Sequence, residues 1–277
     1  MNLCILSGKG GTGKTTVAVN LAVLMQACYF DCDVEEPNGF IFLRPEHITA
    51  EKVFVEYPVI DSDKCTLCGQ CARACQYNAL AATKKNIMLF PTLCHGCHAC
   101  EIVCDPGAIT YLPRPVGSVE KGAAHGVECV RGIMNVGEHM AVPVIRQLLR
   151  NLNISKNNIL DAAPGTSCNV VNTLRRSDAA VIVTEPTVLG LHDMSIAVEL
   201  LRQMNIPFAV VINKSQNNDA MIQKYCSENR IKLLGSIPYA KKAAEAYSEG
   251  QIISKLPEFH LSYARIADKV KEAFSWN

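Results

Sequence analysis

Eight cysteines in two runs of identical spacing are the residues of this 277-residue chain best suited to bind metal. Each run has the pattern C-x-x-C-x-x-C-x-x-x-C, and the second follows the first with a period of 29 residues. The runs contain Cys65, Cys68, Cys71 and Cys75, then Cys94, Cys97, Cys100 and Cys104. Thiolates at this spacing are iron–sulfur ligands. Zinc is the alternative, although zinc sites usually pair two C-x-x-C units.

A second group of reactive residues lies in the segment GKGGTGKT, Gly8 to Thr15, which fits the phosphate-binding pattern G-x-x-x-x-G-K-[ST]. Glycines let successive backbone N–H groups turn toward phosphates. Lys14 supplies a positive charge to the β- and γ-phosphates, and the Thr15 hydroxyl is placed to bind Mg²⁺. ATP and Mg²⁺ are therefore predicted ligands. The predicted nucleotide-binding residues of the loop are Gly8, Lys9, Gly10, Gly11, Thr12, Gly13, Lys14, Thr15 and Thr16.

The early lysine gives this segment the form K-G-G-x-G-K-[ST] from Lys9 to Thr15. Here the sequence resembles the deviant Walker A family of MinD, ParA, Mrp and the nitrogenase iron protein. In that family the early lysine reaches across a dimer interface to the nucleotide of the partner. The resemblance therefore implies an ATP-dependent homodimer in which Lys9, together with Lys14, acts in catalysis.

Two further segments resemble the switches of the same family. DCDVEEPN resembles the first switch, which implies that Asp33 orients the attacking water and that Asp31 lies near Mg²⁺. LDAAPGTSC resembles the second switch, which implies that Asp161 holds Mg²⁺ through water and that Gly165 senses the γ-phosphate. A carboxylate beside the in-line water is what hydrolysis needs.

The base end of the nucleotide is the last part of this resemblance. It implies that Asn213 contacts the purine and that Pro238 lies in the loop that covers the base. The short path from Lys14 to Asp31 departs from the family pattern. It puts the length of the first helix, or of the loop after it, in doubt.

The cysteine block resembles a bacterial two-cluster ferredoxin, in which three cysteines of one run and the last of the other bind one [4Fe–4S] cluster. This implies one cluster on Cys65, Cys68, Cys71 and Cys104 and another on Cys94, Cys97, Cys100 and Cys75. Gln76 and Asp105 stand where the family has proline after the fourth cysteine, which puts the turn geometry in doubt. His95 and His98, inside the second run, are either donors to a sulfide or partly exposed loop residues.

The six remaining cysteines are scattered, and most are expected to be small buried hydrophobes. For two of them, a further iron–sulfur cluster site is one of two alternatives. Cys168 follows Asp161 at the offset of a cluster ligand in the nitrogenase iron protein, and Cys129 lies in a segment that faintly resembles the other ligand. Two subunits would share such a bridging cluster; alternatively, Cys129 belongs to the core of a strand.

The elements that must position these residues alternate along the chain. Apolar runs predict strands at 3–7, 28–33, 157–163, 179–185 and 208–213, and periodic segments predict helices at 14–27, 138–151, 190–204 and 218–229. This alternation predicts an α/β fold with a doubly wound, mostly parallel sheet of the P-loop, MinD-like type. An inserted small α+β ferredoxin-like domain is predicted at 57–112, between the halves 1–56 and 113–277 of the ATPase domain.

Composition narrows the function further. A net charge of +1 gives no basis for a nucleic-acid partner, and no apolar run is long enough to cross a bilayer. The start MNLCILSG lacks the features of a secretory signal, so a cytoplasmic location is expected. The last helical segment packs on the body or, alternatively, binds a membrane; its polar face of mixed sign favours packing.

Together these features predict a Mg²⁺-dependent ATPase whose switch is coupled to electron transfer through two [4Fe–4S] clusters. Its partner is an unidentified redox protein or a protein of metallocofactor assembly. An Mrp-type cluster carrier is the alternative, although the C-terminal C-x-x-C of such carriers is absent from the sequence. A MinD- or ParA-like positioning ATPase would need a membrane tail or a basic DNA surface. A cobyrinate amidation enzyme would need a glutaminase domain, for which the chain has no room.

Overall fold

The computed structural model describes residues 1–216 and 218–276, which form two compact units. The first unit comprises Met1–Glu51, Val119–Ile133 and Ile145–Asn277, and the second comprises Lys52–Ser118 and Met134–Val144. The insert predicted at 57–112 falls inside the second unit, and its exact boundaries stay a prediction.

The helices and strands follow one another in this order: β1 (Asn2–Leu6), α1 (Lys14–Met25), β2 (Cys28–Asp31), α2 (Gly39–Leu43), β3 (Glu46–Ile60), α3 (Gln70–Ala74), β4 (Leu80–Ala82), β5 (Ile87–Leu89), α4 (Ala99–Ile102), β6 (Ile109–Ala124), β7 (Val127–Met134), α5 (Ala141–Leu149), β8 (Asn158–Asp161), α6 (Cys168–Leu174), β9 (Ala179–Thr184), α7 (Val188–Gln203), β10 (Phe208–Ser215), α8 (Ala220–Glu228), β11 (Lys232–Pro238), α9 (Lys241–Ser248) and α10 (Pro257–Phe274). Short 3₁₀ turns lie at Pro91–Leu93 and Ile253–Lys255.

The larger sheet of the described residues has nine strands in the order β11-β10-β9-β1-β8-β2-β7-β6-β3. From β11 to β7 every neighbouring pair is parallel. Ile5 and Asp31 both lie opposite Asp161, so β1, β2 and β8 end at the same level. Because loops follow the carboxyl ends of parallel strands, the segments after these three strands meet at one edge of the sheet.

The central strands are buried on both faces, which explains their continuous apolar runs. In β1, Leu3 and Ile5 join one core cluster, whereas Cys4 and Leu6 join the other, as the two-residue period of a strand requires. Side chains of α1 and α10 complete the first cluster, and those of α6, α7 and α8 complete the second. Helices therefore cover both faces, which confirms the predicted α/β class with a large, mostly parallel sheet.

The final helix packs on the body of the first unit. Phe259, Tyr263, Ile266 and Val270 of α10 are almost fully buried in the first core cluster. Burying an apolar side chain of this size stabilises a fold by about 1.5–3 kcal/mol. The packing alternative of the sequence analysis is therefore the one that the structure adopts.

The second unit repeats its backbone as well as its cysteines. Positive φ values occur at Leu67 and Gly96 (58° and 60°), at Gly69 and His98 (74° and 63°), and at Asn78 and Gly107 (53° and 62°), each pair 29 residues apart. Both short helices, α3 and α4, begin directly after the middle pair. The sequence repeat is thus a structural repeat.

The predicted elements correspond to β1, β2, β8, β9 and β10 and to α1, α5, α7 and α8, with ends shifted by at most three residues. The prediction named no strand at β3, β4, β5, β6 or β11, and it gave a strand around Cys129, in β7, only as an alternative. Most residues of β3 are exposed, and polar side chains interrupt its apolar ones. Its sequence therefore contains no continuous apolar run.

Candidate functional site

The glycine-rich loop joins β1 to α1 at the edge where the parallel strands end. Gly11 and Gly13 have φ of 80° and 86°, in the left-handed region that side chains other than glycine rarely adopt. A Cβ atom on Gly13 would lie 2.1 Å from Nδ2 of Asn213, so space also requires glycine there. Lys14 begins α1, and the free N–H groups and positive dipole end of that helix therefore face the loop.

A cavity of about 490 Å³ opens at this loop. Its volume lies in the range of small-molecule sites, about 300–1,000 Å³. Predicted residues that line it are Lys9, Gly10, Gly11, Thr12, Gly13, Lys14, Thr15, Thr16, Asp33, Asn213 and Pro238. The other predicted residues of this site, Gly8, Asp31, Asp161 and Gly165, adjoin that lining: Gly8 along the chain, and the others through hydrogen bonds to Asp33, Lys14 and Ser7.

The centre of the site is an ion pair in the protein interior. Lys14 Nζ lies 2.6 Å from Asp161 Oδ1, and both side chains are nearly or fully buried. Burial by itself would lower the pKa of Lys14, but the Asp161 carboxylate outweighs this effect and the pKa is raised. The hydroxyl of Tyr29 donates to Asp161 Oδ2 at 2.8 Å. Both oxygens of Asp161 therefore have a partner, as a buried carboxylate requires.

Two further carboxylates stand at the end of β2. Burial, with the nearby charge of Asp161, raises the pKa of Asp31 to about 8. The backbone N–H of Gly39 donates to Asp31 Oδ2 at 2.8 Å and opposes this shift. Burial also raises the pKa of Asp33 to about 6, although the charge of Lys14 acts in the other direction. The site thus holds three carboxylates near a single buried ammonium group.

The early lysine of the loop is held by a group that the sequence analysis did not select. Lys9 Nζ lies 3.8 Å from a carboxylate oxygen of Glu185, whose other oxygen is 2.6 Å from Lys214 Nζ. Lys214 also donates to the carbonyl oxygen of Gly11 at 2.7 Å. Glu185 therefore makes a weak ion pair with Lys9 and, through Lys214, holds the tip of the phosphate loop.

Asn213 lines the cavity, but its amide is engaged with the loop. Its Nδ2 donates to the carbonyl oxygen of Thr12 at 2.8 Å. The hydroxyl of Thr12 is itself buried and has no hydrogen-bond partner among the described residues. A buried donor of this kind at a phosphate loop fits a bound oxyanion. The predicted contact of Asn213 with a purine stays a prediction.

Sequence reasoning missed Tyr29 and Glu185. A signal existed for Tyr29, because it precedes Asp31 by two residues in β2 and therefore faces the same side of the sheet. Glu185 directly follows β9, the parallel neighbour of β1, which places it at the edge that carries the loop. Neither residue belongs to a recognised motif, and topology was needed to find them.

The eight clustered cysteines line two separate small cavities of the second unit. Site A is lined by Cys65, Cys68, Cys71 and Cys104. Site B is lined by Cys75, Cys94, Cys97 and Cys100. Each cavity therefore combines three cysteines of one run with the last cysteine of the other. This is the crossed grouping that the resemblance to ferredoxin implies.

The thiols of each site do not converge on one point. Within the described ranges, His, Cys, Asp and Glu side chains form no group of three or more that could hold a single metal ion. A four-iron cluster is different, since its ligands bind separate irons at its corners. Backbone N–H groups already point at corresponding sulfurs, from Ala79 to Cys75 Sγ at 3.3 Å and from Ala108 to Cys104 Sγ at 3.4 Å. The donor set therefore fits a cluster better than one ion.

Aromatic side chains line site B. Tyr111 Oη lies 3.2 Å from Cys100 Sγ. The ring of His98 packs on Tyr111 with centroids 4.0 Å apart, and His95 stacks on Tyr77 at 3.7 Å. Burial, followed by the contact with Cys100, raises the pKa of Tyr111. Both histidines thus lie in ordered ring contacts, with His95 exposed and His98 half-buried.

Five of the six scattered cysteines are buried, as expected; only Cys168 is exposed. Cys129 lies in β7, and burial raises its pKa to about 12. A protonated, fully buried thiol is not available to bridge a cluster between two subunits. The alternative that Cys129 belongs to the core is therefore correct.

A parallel α/β sheet with a glycine-rich loop between its first strand and helix, opening into a cavity at the carboxyl edge, defines a P-loop nucleotide-binding protein. The chain belongs to the family described as the CobQ/CobB/MinD/ParA nucleotide binding domain, which matches residues 3–253. It is thus a P-loop NTPase of the MinD/ParA type, a family whose members are generally ATPases. No helix in the described part of the chain is both long and apolar enough to cross a membrane.

Relatives and solved structures agree with this assignment. Uncharacterized protein MJ0579 of Methanocaldococcus jannaschii is 30% identical over 284 residues, covering 100% of this chain and 97% of the relative. An iron-sulfur cluster carrier protein of Pyrococcus abyssi is 26% identical over 90% of this chain and 77% of its own length. The septum site-determining protein MinD of Pyrococcus horikoshii, complexed with Mg-ADP, shares the fold with a TM-score of 0.61, 17% identity and coverage of 98% and 96%. The expected MinD-like fold is confirmed.

Proposed function

We propose that this protein is an ATP-hydrolysing switch that controls electron transfer through two [4Fe–4S] clusters and serves the assembly or activation of a metallocofactor or iron–sulfur protein. One observation carries the proposal: a single chain combines a phosphate-loop cavity in one unit with two four-thiol cavities in the other. Neither an ATPase nor a ferredoxin alone needs both kinds of site.

The residues around the phosphate loop have the chemistry to bind and hydrolyse ATP. The Lys14 ammonium and the unpaired Thr12 hydroxyl are donors to phosphate oxygens. Mg²⁺, held by Thr15, Asp31 and Asp161, would neutralise charge on the phosphates. Asp33 lines the same cavity, and its pKa of about 6 leaves it mostly ionised at neutral pH, able to accept a hydrogen bond from the attacking water.

The path of the chain supports coupling between nucleotide and clusters. The segment after Asp33 leads through α2 into β3, which continues into the second unit. The chain returns through β6 and β7, and β7 pairs with β2, with Arg131 opposite Asp31. Arg131 also lies over the ring of Phe40 in α2, 4.5 Å from its centroid, and pairs with Glu120 in β6 at 2.7 Å. Of the four places where the chain passes between the units, one lies in β3, which follows the first-switch segment, and one lies in β7, which pairs with β2.

The cysteine side chains would hold the redox groups. Cys65, Cys68, Cys71 and Cys104 serve site A, and Cys94, Cys97, Cys100 and Cys75 serve site B. A [4Fe–4S] cluster stores and passes single electrons. The N–H groups of Ala79 and Ala108 donate to one sulfur of each set and stabilise negative charge there.

Dimerisation is part of the proposal. Lys9 is 35% exposed and carries a weak contact to Glu185, so a partner nucleotide could draw it away with little loss. ATP would then join two subunits, and hydrolysis would release them. The electron donor and the protein that receives the electrons are outside the chain.

A second candidate function is that of a cluster carrier. Relatives of Pyrococcus abyssi and Pyrococcus horikoshii named iron-sulfur cluster carrier protein, 26% and 25% identical, favour it. A carrier would hold a labile cluster in addition to those of sites A and B. The buried position of Cys129 removes one ligand that such a cluster was thought to use.

The test is reduction of the anaerobically purified protein by dithionite, with and without ATP and Mg²⁺. We compare the wild type with Lys14→Ala and with Lys224→Ala, which removes an exposed lysine of α8. ATP is expected to change the reduction rate in the wild type and in Lys224→Ala but not in Lys14→Ala. Equal rates with and without ATP in the wild type, while ATP is hydrolysed, contradict gated electron transfer.

Iron and sulfide analysis of the same samples separates the two candidates. Two clusters per chain that stay bound during transfer assays support electron transfer. Iron beyond that of two four-iron clusters, delivered to an apo-ferredoxin, supports the carrier. Zinc without sulfide excludes both.

A further inference from the structure

Sites A and B share a backbone repeat but differ in the side chains around the sulfurs. Tyr111 of site B corresponds, at a distance of 29 residues, to Ala82 of site A, and His98 corresponds to Gly69. His98 and Gly69 have the same left-handed backbone, so the difference lies in the side chains. Because the two sites share one backbone conformation, a difference in their properties can be assigned to the side chains that differ.

The tyrosine places a hydroxyl on one buried sulfur of site B. Tyr111 Oη is 3.2 Å from Cys100 Sγ, and Cys100 is only 8% exposed. The ring of His98 packs on Tyr111, and its two nitrogens each lie 3.1 Å from a carboxylate, Glu56 on one side and Glu101 on the other. The contacts of His98 therefore hold the tyrosine ring in place and restrict movement of its hydroxyl away from Cys100 Sγ.

The direction of this hydrogen bond follows from the chemistry of the ligand. A cysteine that binds iron is a thiolate and has no proton to give, so the phenol must donate. A donor to a ligand sulfur stabilises the more negative, reduced state and raises the reduction potential. One backbone donor is common to both sites, because the N–H groups of Ala79 and Ala108 each point at one ligand sulfur.

The lining of site A contains one side-chain hydroxyl, that of Thr66, close to Cys68 in the sequence. Cys68 is exposed, however, so water would replace the threonine hydroxyl if it were removed. A hydrogen bond to the buried Cys100 has no such replacement.

We infer that Tyr111 makes the two sites electronically unequal, with site B at the higher reduction potential, so that an electron entering the second unit comes to rest at site B. The inference depends on the proposed function, in which both sites hold [4Fe–4S] clusters. A low-potential one-electron donor supplies the electron. If it enters at site A, one electron passes to oxidised site B, site A is oxidised again, and no bond is made or broken. Cys71 of site A and Cys100 of site B belong to one small apolar cluster, so the path between the sites is short.

The test is an anaerobic redox titration of the full-length protein with both clusters, followed by EPR. The wild type is expected to show two midpoints. Tyr111→Phe should lower only the higher midpoint, by about a tenfold change in the equilibrium constant, which for one electron is about 59 mV. Tyr77→Phe is the matched control, since it removes a hydroxyl from the wall of the same cavity that has no hydrogen-bond partner among the described residues. It should leave both midpoints in place.

Each outcome has a separate meaning. Two clusters with equal midpoints, or a Tyr111→Phe variant with both midpoints unchanged, overturn the inference and leave the proposed function intact. A shift of the lower midpoint instead assigns the higher potential to site A and also overturns it. Iron and sulfide contents below those of two [4Fe–4S] clusters per chain refute the proposed function itself. Retention of both clusters in Tyr111→Phe, checked by the same counts, excludes loss of folding as the cause of a shift.

Discussion

The hydroxyl of Tyr29 is predicted to stabilise the nucleotide-free protein through one buried hydrogen bond. Tyr29 and Asp161 are both 0% exposed, and the bond length is 2.8 Å. A hydrogen bond to a charged group contributes about 1.5–3 kcal/mol, and no water is at hand to replace it. We therefore expect Tyr29→Phe to lower the free energy of unfolding of the first unit by about 2 kcal/mol. For a domain of this size that corresponds to about 4–8 °C in Tm.

The assay is equilibrium unfolding in urea at neutral pH without nucleotide or Mg²⁺. The only tryptophan of the chain, Trp276, lies in the first core cluster, so its fluorescence reports on the first unit. Tyr263→Phe is the control: Tyr263 is 1% exposed, and its hydroxyl has no hydrogen-bond partner in the part of the chain that the structure describes. If both variants lose the same stability, the bond to Asp161 does not have the assigned role.

Three further predictions concern the same site. Gly13→Ala should abolish ATP binding in an equilibrium assay with a fluorescent analogue, because φ of 86° and the approach to Asn213 at 2.1 Å exclude a side chain. The pKa of Asp31 is raised to about 8 by burial, so the folded state binds its proton more tightly than the unfolded state and stability falls as the pH rises from about 4 to 8. Asp31→Asn should flatten that part of the stability profile, measured in EDTA. Glu185→Gln should release Lys9 and lower the ATP concentration at which dimers form, measured by light scattering.

Two of these predictions have a matched control variant. Gly10→Ala adds a methyl group with no atom of the described residues within 4 Å and should leave the loop folded. Glu228→Gln removes one carboxylate, as Glu185→Gln does, but from the exposed ion pair with Lys224 on α8, and it should leave dimer formation unchanged. If Asp31→Asn keeps the wild-type pH profile, another group is responsible for it. If Glu185→Gln dimerises like the wild type, Glu185 does not restrain Lys9.

The chemistry of this chain was predictable where it depends on local spacing. The phosphate loop and the two cysteine runs are short segments, and the structure brings their residues together around cavities. Pairs that join distant segments were not predictable. Tyr29 and Asp161 are 132 residues apart in the sequence, and their contact requires that β2 and β8 be neighbours in the sheet.

The missed strands have a different cause. The criterion for a strand was a continuous apolar run, which holds only for strands buried on both faces. β3 is exposed throughout its first seven residues, and β6 is buried at only four of its 16 positions, so neither contains such a run. The ambiguous role of Cys129 was likewise a matter of burial, since the sequence shows a cysteine but not its depth. Only the pairing of β7 with β2 places it in the core.

The residues proposed to contact ATP each have an internal partner: Lys14 pairs with Asp161, Lys9 with Glu185, and Asn213 with Thr12. Binding must therefore exchange partners, and the exchange at Asp161 is the most demanding. When Lys14 turns to a phosphate, the buried carboxylate keeps only the Tyr29 hydroxyl, and an unpaired buried charge costs about 3–5 kcal/mol. A second cation must take the place of Lys14, which makes nucleotide affinity depend on Mg²⁺. We expect the Kd for ATP to fall at least tenfold when Mg²⁺ replaces EDTA, and Asp161→Asn, which removes the charge, to lose most of that dependence. Equal affinity of the wild type in EDTA and in Mg²⁺ would contradict this account of the switch.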